Sequence, residues 1–373
     1  MPSETYDLAG LRAALTAAGE PWMAGPNRLT QMTPDERRRL LGVKPPPGAP
    51  SIADVARDVR ASKAERAAAA RVKAVGAPSA FDLRNVGGAN YVTPVRDQGN
   101  CGSCVAFGTL AAVESTLSLQ RGDPNLAVDL SESHLFHCMG PGSGGASCNN
   151  GWWPTYALDL LRDQGVVDEA CYPYVDNDAG CGGLCGDAAN RVLKTTGWQD
   201  LTGNPAGIKE WVSTRGAVTA CFIVYDDFFA YQPGQIYRNV VQSADPGGHC
   251  VAIVGYDDAG GYWICKNSWN TWFGDQGYFL IAYGEVGIES WGNFGVTGIE
   301  NTGWQTDTVT GLWTINEERN AWAYFSRLGW RKVSPDSDAI FLDQLMHLAA
   351  AKASGSQVSF YELQSVIKQV YVF

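Results

Sequence analysis

A cysteine stands at the start of a helix-like apolar run. Residues 98–107 read Gln-Gly-Asn-Cys-Gly-Ser-Cys-Val-Ala-Phe, and apolar side chains recur beyond Cys104 with helical spacing. A thiol at a helix N-terminus lies at the positive end of the helix dipole, which stabilises the nucleophilic thiolate. Gln98, six residues before it, supplies an amide donor for a developing oxyanion. The stretch therefore predicts a cysteine nucleophile.

A histidine and an asparagine lie far downstream, each beside a strand-like run. His249 stands in Gly-Gly-His-Cys-Val-Ala-Ile-Val-Gly-Tyr, and Asn267 stands in Cys-Lys-Asn-Ser-Trp-Asn. The turn signal Asp-Asp-Ala-Gly-Gly at 257–261 separates them, so we expect the two residues on neighbouring strands of one hairpin. A nucleophile needs a base and a third group that orients the base. These three side chains fit that scheme.

Together these motifs resemble the papain family of cysteine peptidases. The resemblance runs from about Phe81 to Thr297 and includes Phe-Asp-Leu-Arg at 81–84, Val-Thr-Pro-Val-Arg-Asp-Gln at 92–98, Tyr-Pro-Tyr at 172–174 and Lys-Asn-Ser-Trp at 266–269. The family's histidine and asparagine follow the cysteine by about 130–150 residues; here they follow it by 145 and 163 residues. The resemblance implies an α+β, two-lobed papain-like fold with a helical lobe, a β-barrel-like lobe and an active-site cleft between them.

The resemblance also implies roles for single residues. Cys104 matches the nucleophile, His249 the general base and acid, and Asn267 the orienting residue. Gln98 matches the side chain of the oxyanion hole, which acts with the backbone N–H of Cys104. Trp269 matches the tryptophan that shields the histidine–asparagine hydrogen bond and borders the leaving-group side.

A substrate pocket follows from the same matching. Gly151 matches the residue whose backbone pairs with the substrate main chain, and the residues placed near the main selectivity pocket are Trp152, Cys221, Cys250 and Trp291. That pocket takes the second substrate residue before the cut. Trp291 fills volume and carries no carboxylate, so we expect a shallow apolar pocket that prefers Val, Leu or Pro. The alternative is that Trp291 packs in the core behind the pocket.

The chain departs from the family pattern at two positions. Val105 replaces the tryptophan that usually follows the nucleophile, and we expect local repacking without loss of chemistry. Asn150 replaces a glycine in the family's Cys-Asn-Gly-Gly stretch. Asparagine tolerates a positive φ better than most residues, if one is required there.

Ten cysteines are present, nine of them besides Cys104. The family pattern implies a Cys101–Cys148 disulfide, a bond from Cys138 to Cys181 or Cys185, and a bond from Cys171 to the one left over. The remaining three, Cys221, Cys250 and Cys265, are typical of small buried hydrophobic residues. Disulfides indicate an oxidising compartment. The first residues lack the pattern of a signal peptide. We give the cysteines more weight and expect a secreted or exported protein (periplasmic, extracellular or lysosome-like). Its signal was trimmed, or its export uses another route.

Composition excludes some classes of function. The net charge of −11 argues against nucleic acid as a main partner. No run of about 18 apolar residues is present, so no membrane span is predicted. We predict no cofactor and no metal; the expected partners are a peptide or protein substrate and the chain's own N-terminal segment.

The chain divides into three predicted parts. Residues 1–77 carry 12 Lys and Arg against 8 Asp and Glu, whereas the remainder carries 16 against 31. This asymmetry indicates contact between the two parts, and we interpret 1–77 as a pro-segment, with a solvated tail or linker as the alternative. A helix from Ser51 to Val75, capped by Ser51, is predicted within it. Residues 78–300 form the predicted peptidase domain, with a helical half at 98–190 and a β half at 191–297.

Residues 301–373 extend beyond the family's usual end as a module of unknown role. Its sequence predicts a helix from Asp338 to Ala353 and a strand from Val370 to Phe373. Its many aromatic residues are interpreted as core rather than as a binding face.

The sequence thus predicts a cysteine endopeptidase made as an autoinhibited zymogen. It would act through a thiolate–imidazolium pair, expected as the resting state, and an acyl-enzyme intermediate. The same chemistry could serve exopeptidase trimming or transpeptidation, and a non-proteolytic binding scaffold is the alternative of a different class.

Overall fold

The computed structural model describes residues 6–72, 74, 76–124, 126–243, 245–300, 303–363 and 366–372. These residues belong to two compact units, one of Met1–Gly186 with Thr195–Gly298 and the other of Asp187–Lys194 with Ile299–Phe373. The N-terminal segment therefore shares a unit with the predicted peptidase domain. The three-part division at 77 and 300 stays a prediction.

The α-helices of the described chain are α1 (Leu8–Ala18), α2 (Pro34–Arg38), α3 (Ile52–Ala61), α4 (Lys63–Arg71), α5 (Cys104–Arg121), α6 (Pro154–Asp163), α7 (Pro205–Thr214) and α8 (Asp338–Ser354). None of the described helices is both long enough and apolar enough to cross a membrane.

The strands of the first unit are β1 (Ala80–Asp82), β2 (Thr195–Asp200), β3 (Val218–Val224), β4 (Ile236–Tyr237), β5 (Gly247–Asp257), β6 (Tyr262–Lys266), β7 (Tyr278–Ala282) and β8 (Trp291–Ile299). They form one sheet in the order β2-β8-β3-β5-β6-β7-β4, and β1 pairs with β5. Strands β5 and β6 are antiparallel neighbours, with Ala252 opposite Lys266. The predicted hairpin is confirmed.

The long helix α5 is the centre of the helical half. Its side chains from Cys104 to Ser118 are all buried. A helix that is apolar on nearly all sides belongs inside a protein rather than on its surface. It ends at Gly122, whose φ of 61° gives the left-handed C-cap that glycine adopts without strain. Cys104 is thus held at the first turn of a rigid, fully packed element.

The N-terminal segment is helical on both sides of an extended stretch. A capping box of Thr33 and Glu36 starts α2, and the Ser51 hydroxyl accepts from the Asp54 N–H to start α3. The Ser51 cap is confirmed, but the single predicted helix is two helices. Ser62 leaves the helical conformation and its hydroxyl donates to the Asp58 carbonyl, a local bond that competes with the helix. The predicted end at Val75 lies outside the described residues.

The described part of the second unit is a closed barrel with one α-helix. The strands β9 (Gly303–Thr314), β10 (Ala321–Phe325), β11 (Gly329–Val333), β12 (Gln357–Leu363) and β13 (Val366–Val372) close in the order β10-β11-β13-β12-β9. Helix α8 confirms the helix predicted from Asp338, and β13 contains the predicted strand as far as Val372; Phe373 lies outside the described residues.

The aromatic side chains of this unit divide between its core and its surface. Phe325 and Phe360 stack in the core, with ring centroids 4.2 Å apart. By contrast Tyr324 and Trp330 are 40% and 47% exposed, so the interpretation of the aromatic residues as core is wrong for these two; Trp313, on β9, is 47% exposed as well. They lie on the outer side of strands whose inner side, at Ala323 and Phe325, is already filled.

Candidate active site

Cys104 is the first residue of α5. The preceding Ser103 does not cap the helix with its side chain, which instead contacts the Tyr174 hydroxyl at 2.7 Å. Tyr174 in turn donates to the backbone carbonyl of Gln98 at 2.8 Å. These bonds hold the loop before the helix. The helix N-terminus carries the thiol beside β5, where the backbone N–H of Cys250 acts to lower the pKa of Cys104.

His249 and Asn267 form a buried pair on the β5–β6 hairpin. His249 is the third residue of β5, and Asn267 follows the last residue of β6. The Nε2 atom of His249 and the Oδ1 atom of Asn267 are 2.7 Å apart. The Nδ1 atom of His249 has no hydrogen-bond partner within the described chain. Asn267 therefore fixes one ring nitrogen and leaves the other to exchange a proton.

Trp269 covers this pair. Its ring lies 4.6 Å from the His249 ring, centroid to centroid, at an angle of 32°. Trp269 is itself packed against Phe229 and Phe273. A stack of this kind excludes water from the hydrogen bond between His249 and Asn267, and water exclusion strengthens such a bond.

The Gln98 side chain is held from both ends. Its Oε1 atom accepts from the Ser268 hydroxyl at 2.7 Å, and its Nε2 atom donates to the carbonyls of Cys101 at 2.8 Å and Leu40 at 3.1 Å. The amide hydrogens therefore face the loop before α5 and the chain that crosses it. Ser268 has no place in the sequence-based assignment, although it lies within the Lys-Asn-Ser-Trp motif.

Residues 40–44 of the N-terminal segment run over these side chains. Val43 donates to the Gly248 carbonyl at 3.0 Å and Lys44 to the Trp152 carbonyl at 2.8 Å, while Trp152 donates to the Gly42 carbonyl at 2.7 Å. Val43 and Trp152 form a parallel bridge. A short β-like pairing thus lays this stretch, which we call the crossing strand, into the site.

Three glycines allow this close approach. A Cβ atom on Gly42 would overlap the carbonyl of Gly102, and one on Gly151 would overlap the carbonyl of Gly42. Gly151 also has a φ of 68°, a conformation that glycine adopts without strain. The neighbouring Asn150 is not among the positive-φ residues, so its replacement of a glycine introduces no strain there.

Burial under the crossing strand sets the protonation of the site. Burial raises the pKa of the Cys104 thiol far above its usual range, and the neighbouring Cys250 thiol adds to the rise. Burial also lowers the pKa of His249 to about 4, against the opposing effects of Asn267 and the Leu40 carbonyl. The covered site therefore holds a neutral thiol and a neutral imidazole. These directions follow from the crossing strand, which removes the water that stabilises both charges. The ion pair expected as the resting state stays a prediction for the uncovered site.

The predicted pocket residues lie on adjoining strands. Cys221 on β3 is directly opposite Cys250 on β5 and Trp291 on β8. Trp291 contacts Trp153, with ring centroids 5.8 Å apart. A Cβ on Gly248 would lie 2.7 Å from the Trp291 ring and 2.8 Å from the Cβ of Val43. Trp291 and Val43 therefore meet at one point of the cleft wall.

One pairing differs from expectation. The Gly151 N–H donates to the Ser147 carbonyl at 2.8 Å, and the backbone of the next residue, Trp152, pairs with the crossing strand. The tight turn from Ser147 to Gly151 uses the glycine amide within the loop. Trp152 is buried, and its indole N–H donates to the Ser143 carbonyl at 2.6 Å. Val105 is also fully buried, which agrees with the packing role expected for it.

Three disulfides support the site. Cys101–Cys148, Cys138–Cys181 and Cys171–Cys185 are formed, which confirms the first bond and decides between the alternatives for the others. Cys221, Cys250 and Cys265 are free and buried, as expected. Among the described residues, Cys101, Cys148 and His137 are close enough to share a metal ion, but the disulfide occupies both sulfurs.

Comparisons with known proteins agree with this geometry. A model of the papain family of cysteine proteases matches residues 77–301. Cathepsin B-like CP3 of Giardia intestinalis is 33% identical over 282 residues, which cover 72% of this chain and 87% of that protein. Pro-cathepsin H of Mus musculus is 34% identical over 214 residues, 56% of this chain and 61% of that protein. Among solved structures, digestive procathepsin L2 proteinase from Tenebrio molitor larval midgut matches with a TM-score of 0.59 and 28% identity, covering 78% of this chain and 88% of that chain.

Proposed function

Because the chain belongs to the papain family of cysteine proteases, we propose that Cys104 is the nucleophile of a peptidase made as a zymogen. His249 acts as its base and acid, Asn267 orients His249, and Gln98 donates to the oxyanion. The single observation that carries this assignment is the backbone carbonyl of Leu40. It accepts from the Gln98 amide and also influences the pKa of His249, so a peptide group already lies among these side chains.

The reaction follows from these positions. Once the crossing strand leaves, water reaches the site and the thiol proton moves to His249. The thiolate adds to a substrate carbonyl, whose oxygen takes up negative charge beside the Gln98 amide. The protonated His249 gives its proton to the departing amine. Water then attacks the acyl-enzyme, with His249 as the base, and frees Cys104.

The crossing strand is proposed as the intramolecular inhibitor. It bonds to Gln98, Gly248 and Trp152, and these are the groups that a substrate strand would need. The backbone N–H of Gly42 also acts on Cys104, where it lowers the thiol pKa against the effect of burial. The crossing strand therefore inhibits by occupying the groups that would bind the substrate. The basic charge of residues 1–77 adds a general attraction to the acidic remainder of the chain.

The pocket at Trp291 favours substrates with a residue of the size of valine at the second position before the cut. Val43 lies at this point of the cleft wall and is buried there. An apolar wall without a carboxylate gives arginine no ion-pair partner, and a large ring would meet the Trp291 indole. The predicted preference is for Val, Leu or Pro, graded because a methylene is worth only about 1–3 kcal/mol in such pockets.

We place the enzyme in an oxidising compartment, as a secreted or exported protein. Three disulfides within one unit support this location, because disulfides persist outside the reducing cytosol. One of them, Cys101–Cys148, joins the loop before α5 to the loop that pairs with the crossing strand. A reducing environment would loosen both.

A peptide blocked at both ends and carrying an internal fluorescence quencher tests this function. After acid treatment of the full chain, we expect hydrolysis by the wild type and by the Cys265→Ser control, and none by Cys104→Ser. The control changes a buried free cysteine on β6 that has no assigned role. Hydrolysis by Cys104→Ser would refute the mechanism, and cleavage only of unblocked peptides would replace endopeptidase action by trimming.

A further inference from the structure

Helices α3 and α4 pack on the β half, where Val59 lies beside Gly287 and Lys63 pairs with Glu285. We propose that they are retained, covalently joined to β1, as a structural part of the active peptidase, and that maturation cuts the loop at 45–51 before them rather than the junction near 77. This inference rests on the proposed function, since it takes the chain to be a zymogen blocked by the crossing strand. It divides residues 1–77 into a part that leaves and a part that stays.

The first anchor is a buried lysine of the β half. The side chain of Lys209 on α7 is fully buried, and its ammonium donates to the Ala70 carbonyl and, at 2.5 Å, to Asp258. The ring of Tyr283 lies 4.7 Å from the same ammonium. Ala70 is in the last turn of α4, where a cation stabilises the helix dipole. The end of α4 therefore completes the environment of Lys209.

The second anchor is the turn before β8. Lys63 of α4 pairs with Glu285 at 2.6 Å, and the Glu285 side chain is only 1% exposed. Arg66 donates to the Gly284 carbonyl at 3.4 Å. A Cβ on Gly284 would lie 2.6 Å from the Lys63 carbonyl and 2.7 Å from the Ala67 nitrogen, so the α4 backbone lies directly against this turn. A partly buried ion pair and a backbone contact of this kind are features of a folded interior.

Apolar side chains are buried on both helices. They are Ala56 and Val59 of α3 and Ala70 of α4, and Ala74 and Ala77 are buried in the chain that follows α4. The methyl groups of Val59 reach Gly287, at 3.1 Å from where its Cβ would be. The same point lies 3.4 Å from the Cβ of Trp291, so Val59 of α3 lies beside the residue that forms the proposed pocket wall.

Acid acts on the crossing strand. His249, under the crossing strand, has a lowered pKa and favours the uncovered state in acid. Acidification therefore loosens the crossing strand. The contact of α3 and α4 also includes backbone groups that do not titrate, namely the Ala70 carbonyl that accepts from Lys209 and the α4 backbone against Gly284.

The loop between the two parts is open to a protease. Residues from Pro47 to Ser51 are exposed. Hydrolysis there adds water across one peptide bond, leaving a carboxylate on the departing segment and a new amine on the enzyme. Cleavage between Gly48 and Ala49 would place Pro47 second before the cut, within the proposed preference. Since the molecule's own cleft is filled, a second, uncovered molecule makes the cut.

The experiment is an intact-mass and N-terminal sequence measurement on the active species. The full chain is held at pH 4.5 until peptidase activity is constant, and the active molecules are captured with a biotinylated epoxysuccinyl inhibitor. We expect an N-terminus within 45–51 and a mass that includes residues 52–71. An active species without covalently attached residues 52–71 would overturn the proposal.

A second measurement applies if the chain does not process itself. Absence of inhibitor labelling at Cys104 would count against the proposed function, not against this inference. Full-length Cys104→Ser is then treated with increasing pepsin, an acid protease, at pH 4.5. A protected core that begins within 45–51 upholds the inference, and one that begins after residue 71 refutes it.

A matched pair of variants tests whether the helices stabilise the active species. In the species isolated at pH 4.5 and returned to pH 7, we expect Lys63→Ala to lower the melting temperature by about 2–4 °C. Arg57→Ala should leave it unchanged, because Arg57 is 70% exposed and pairs with Asp54 on its own helix. Equal melting temperatures for both variants would contradict a structural role of α4 in the mature enzyme.

Discussion

The side-chain amide of Gln98 donates to the backbone carbonyl of Leu40 at 3.1 Å. The same amide is fixed independently by Ser268 and Cys101, with bonds of 2.7 Å and 2.8 Å. Its orientation therefore does not depend on Leu40, and it will persist when the crossing strand leaves. A donor that is oriented before the substrate arrives needs no reorganisation during the reaction. The inhibitor and the substrate compete for one prearranged group.

Replacement of this amide should slow the processed enzyme. We expect Gln98→Ala to lower kcat by about 10–100-fold, somewhat less than the 10²–10³ known for a lost oxyanion donor in a serine protease. The backbone N–H of Cys104 remains as a second donor. Ser268→Ala, which removes only the bond that positions Gln98, should lower kcat less. Steady-state kinetics on a small peptide substrate decide this, and an unchanged kcat for Gln98→Ala would remove the residue from the oxyanion site.

A methyl group on Gly42 should release the inhibitor. The added Cβ would overlap the Gly102 carbonyl, so the crossing strand cannot keep its position. We expect full-length Gly42→Ala to hydrolyse a small peptide at neutral pH before any cleavage of its own chain. Gly186→Ala is the control, because a Cβ at Gly186 meets no atom within 4 Å and its backbone is not in the left-handed region. An unprocessed Gly42→Ala protein as inactive as the wild type would show that this stretch does not block the site.

Binding of the crossing strand should weaken in acid. The pKa of His249 is about 4 in the covered site, below its ordinary value of 6.5, so the uncovered site binds more protons between these values. The covered state is fully favoured above about pH 6.5 and loses that advantage as the pH falls toward 4, by on the order of 3 kcal/mol in total.

The measurement is the affinity of a synthetic peptide of residues 6–50 for processed Cys104→Ser enzyme. We expect a dissociation constant at least about tenfold higher at pH 4.5 than at pH 7. A peptide with Arg38→Ala should keep the same pH dependence, because the Arg38–Asp245 pair is 60% and 69% exposed and contributes little. A dissociation constant independent of pH would rule out His249 as the origin of acid activation.

The size of the pocket should depend on Trp291. Trp291→Ala removes the indole that lies against Gly248 and Val43, and we expect Phe and Tyr to become accepted at the second position before the cut. A peptide-library profile measures this, with Trp330→Ala in the second unit as a control that leaves the profile unchanged. An arginine preference in the wild type would refute the shallow apolar pocket, and an unchanged profile in Trp291→Ala would favour a core role for this residue.

The residues predicted for the site were found because their side chains define motifs. Cys104, His249, Asn267 and Gln98 carry distinctive groups at spacings that a strand, a turn and a helix convert into proximity. The crossing strand, residues 40–44, was missed because it contacts the site through its backbone and not through distinctive side chains. Backbone groups are the same for every sequence. Only Gly42, which lies between apolar residues and before three prolines, indicates a close approach.

Two other differences come from burial and local bonding, which sequence patterns do not report. The expected ion pair of Cys104 and His249 ignores the cover that desolvates both groups. The predicted helix through residue 62 follows helix propensity, but the Ser62 hydroxyl bonds to the Asp58 carbonyl and the helix ends. The partners of Cys138 and Cys171 depended on the folded loop, since Cys181 and Cys185 are only four residues apart.

The most direct test of the whole account is the reaction of the chain with an epoxysuccinyl thiol inhibitor, followed by mass mapping of the labelled peptide. The protein is treated at pH 7 before and after processing at pH 4.5. The account predicts no labelling of the covered form and, after processing, labelling of Cys104 alone, with Cys221, Cys250 and Cys265 unmodified. Labelling of another cysteine with Cys104 unmodified, or equal labelling of Cys104 before and after processing, would contradict it.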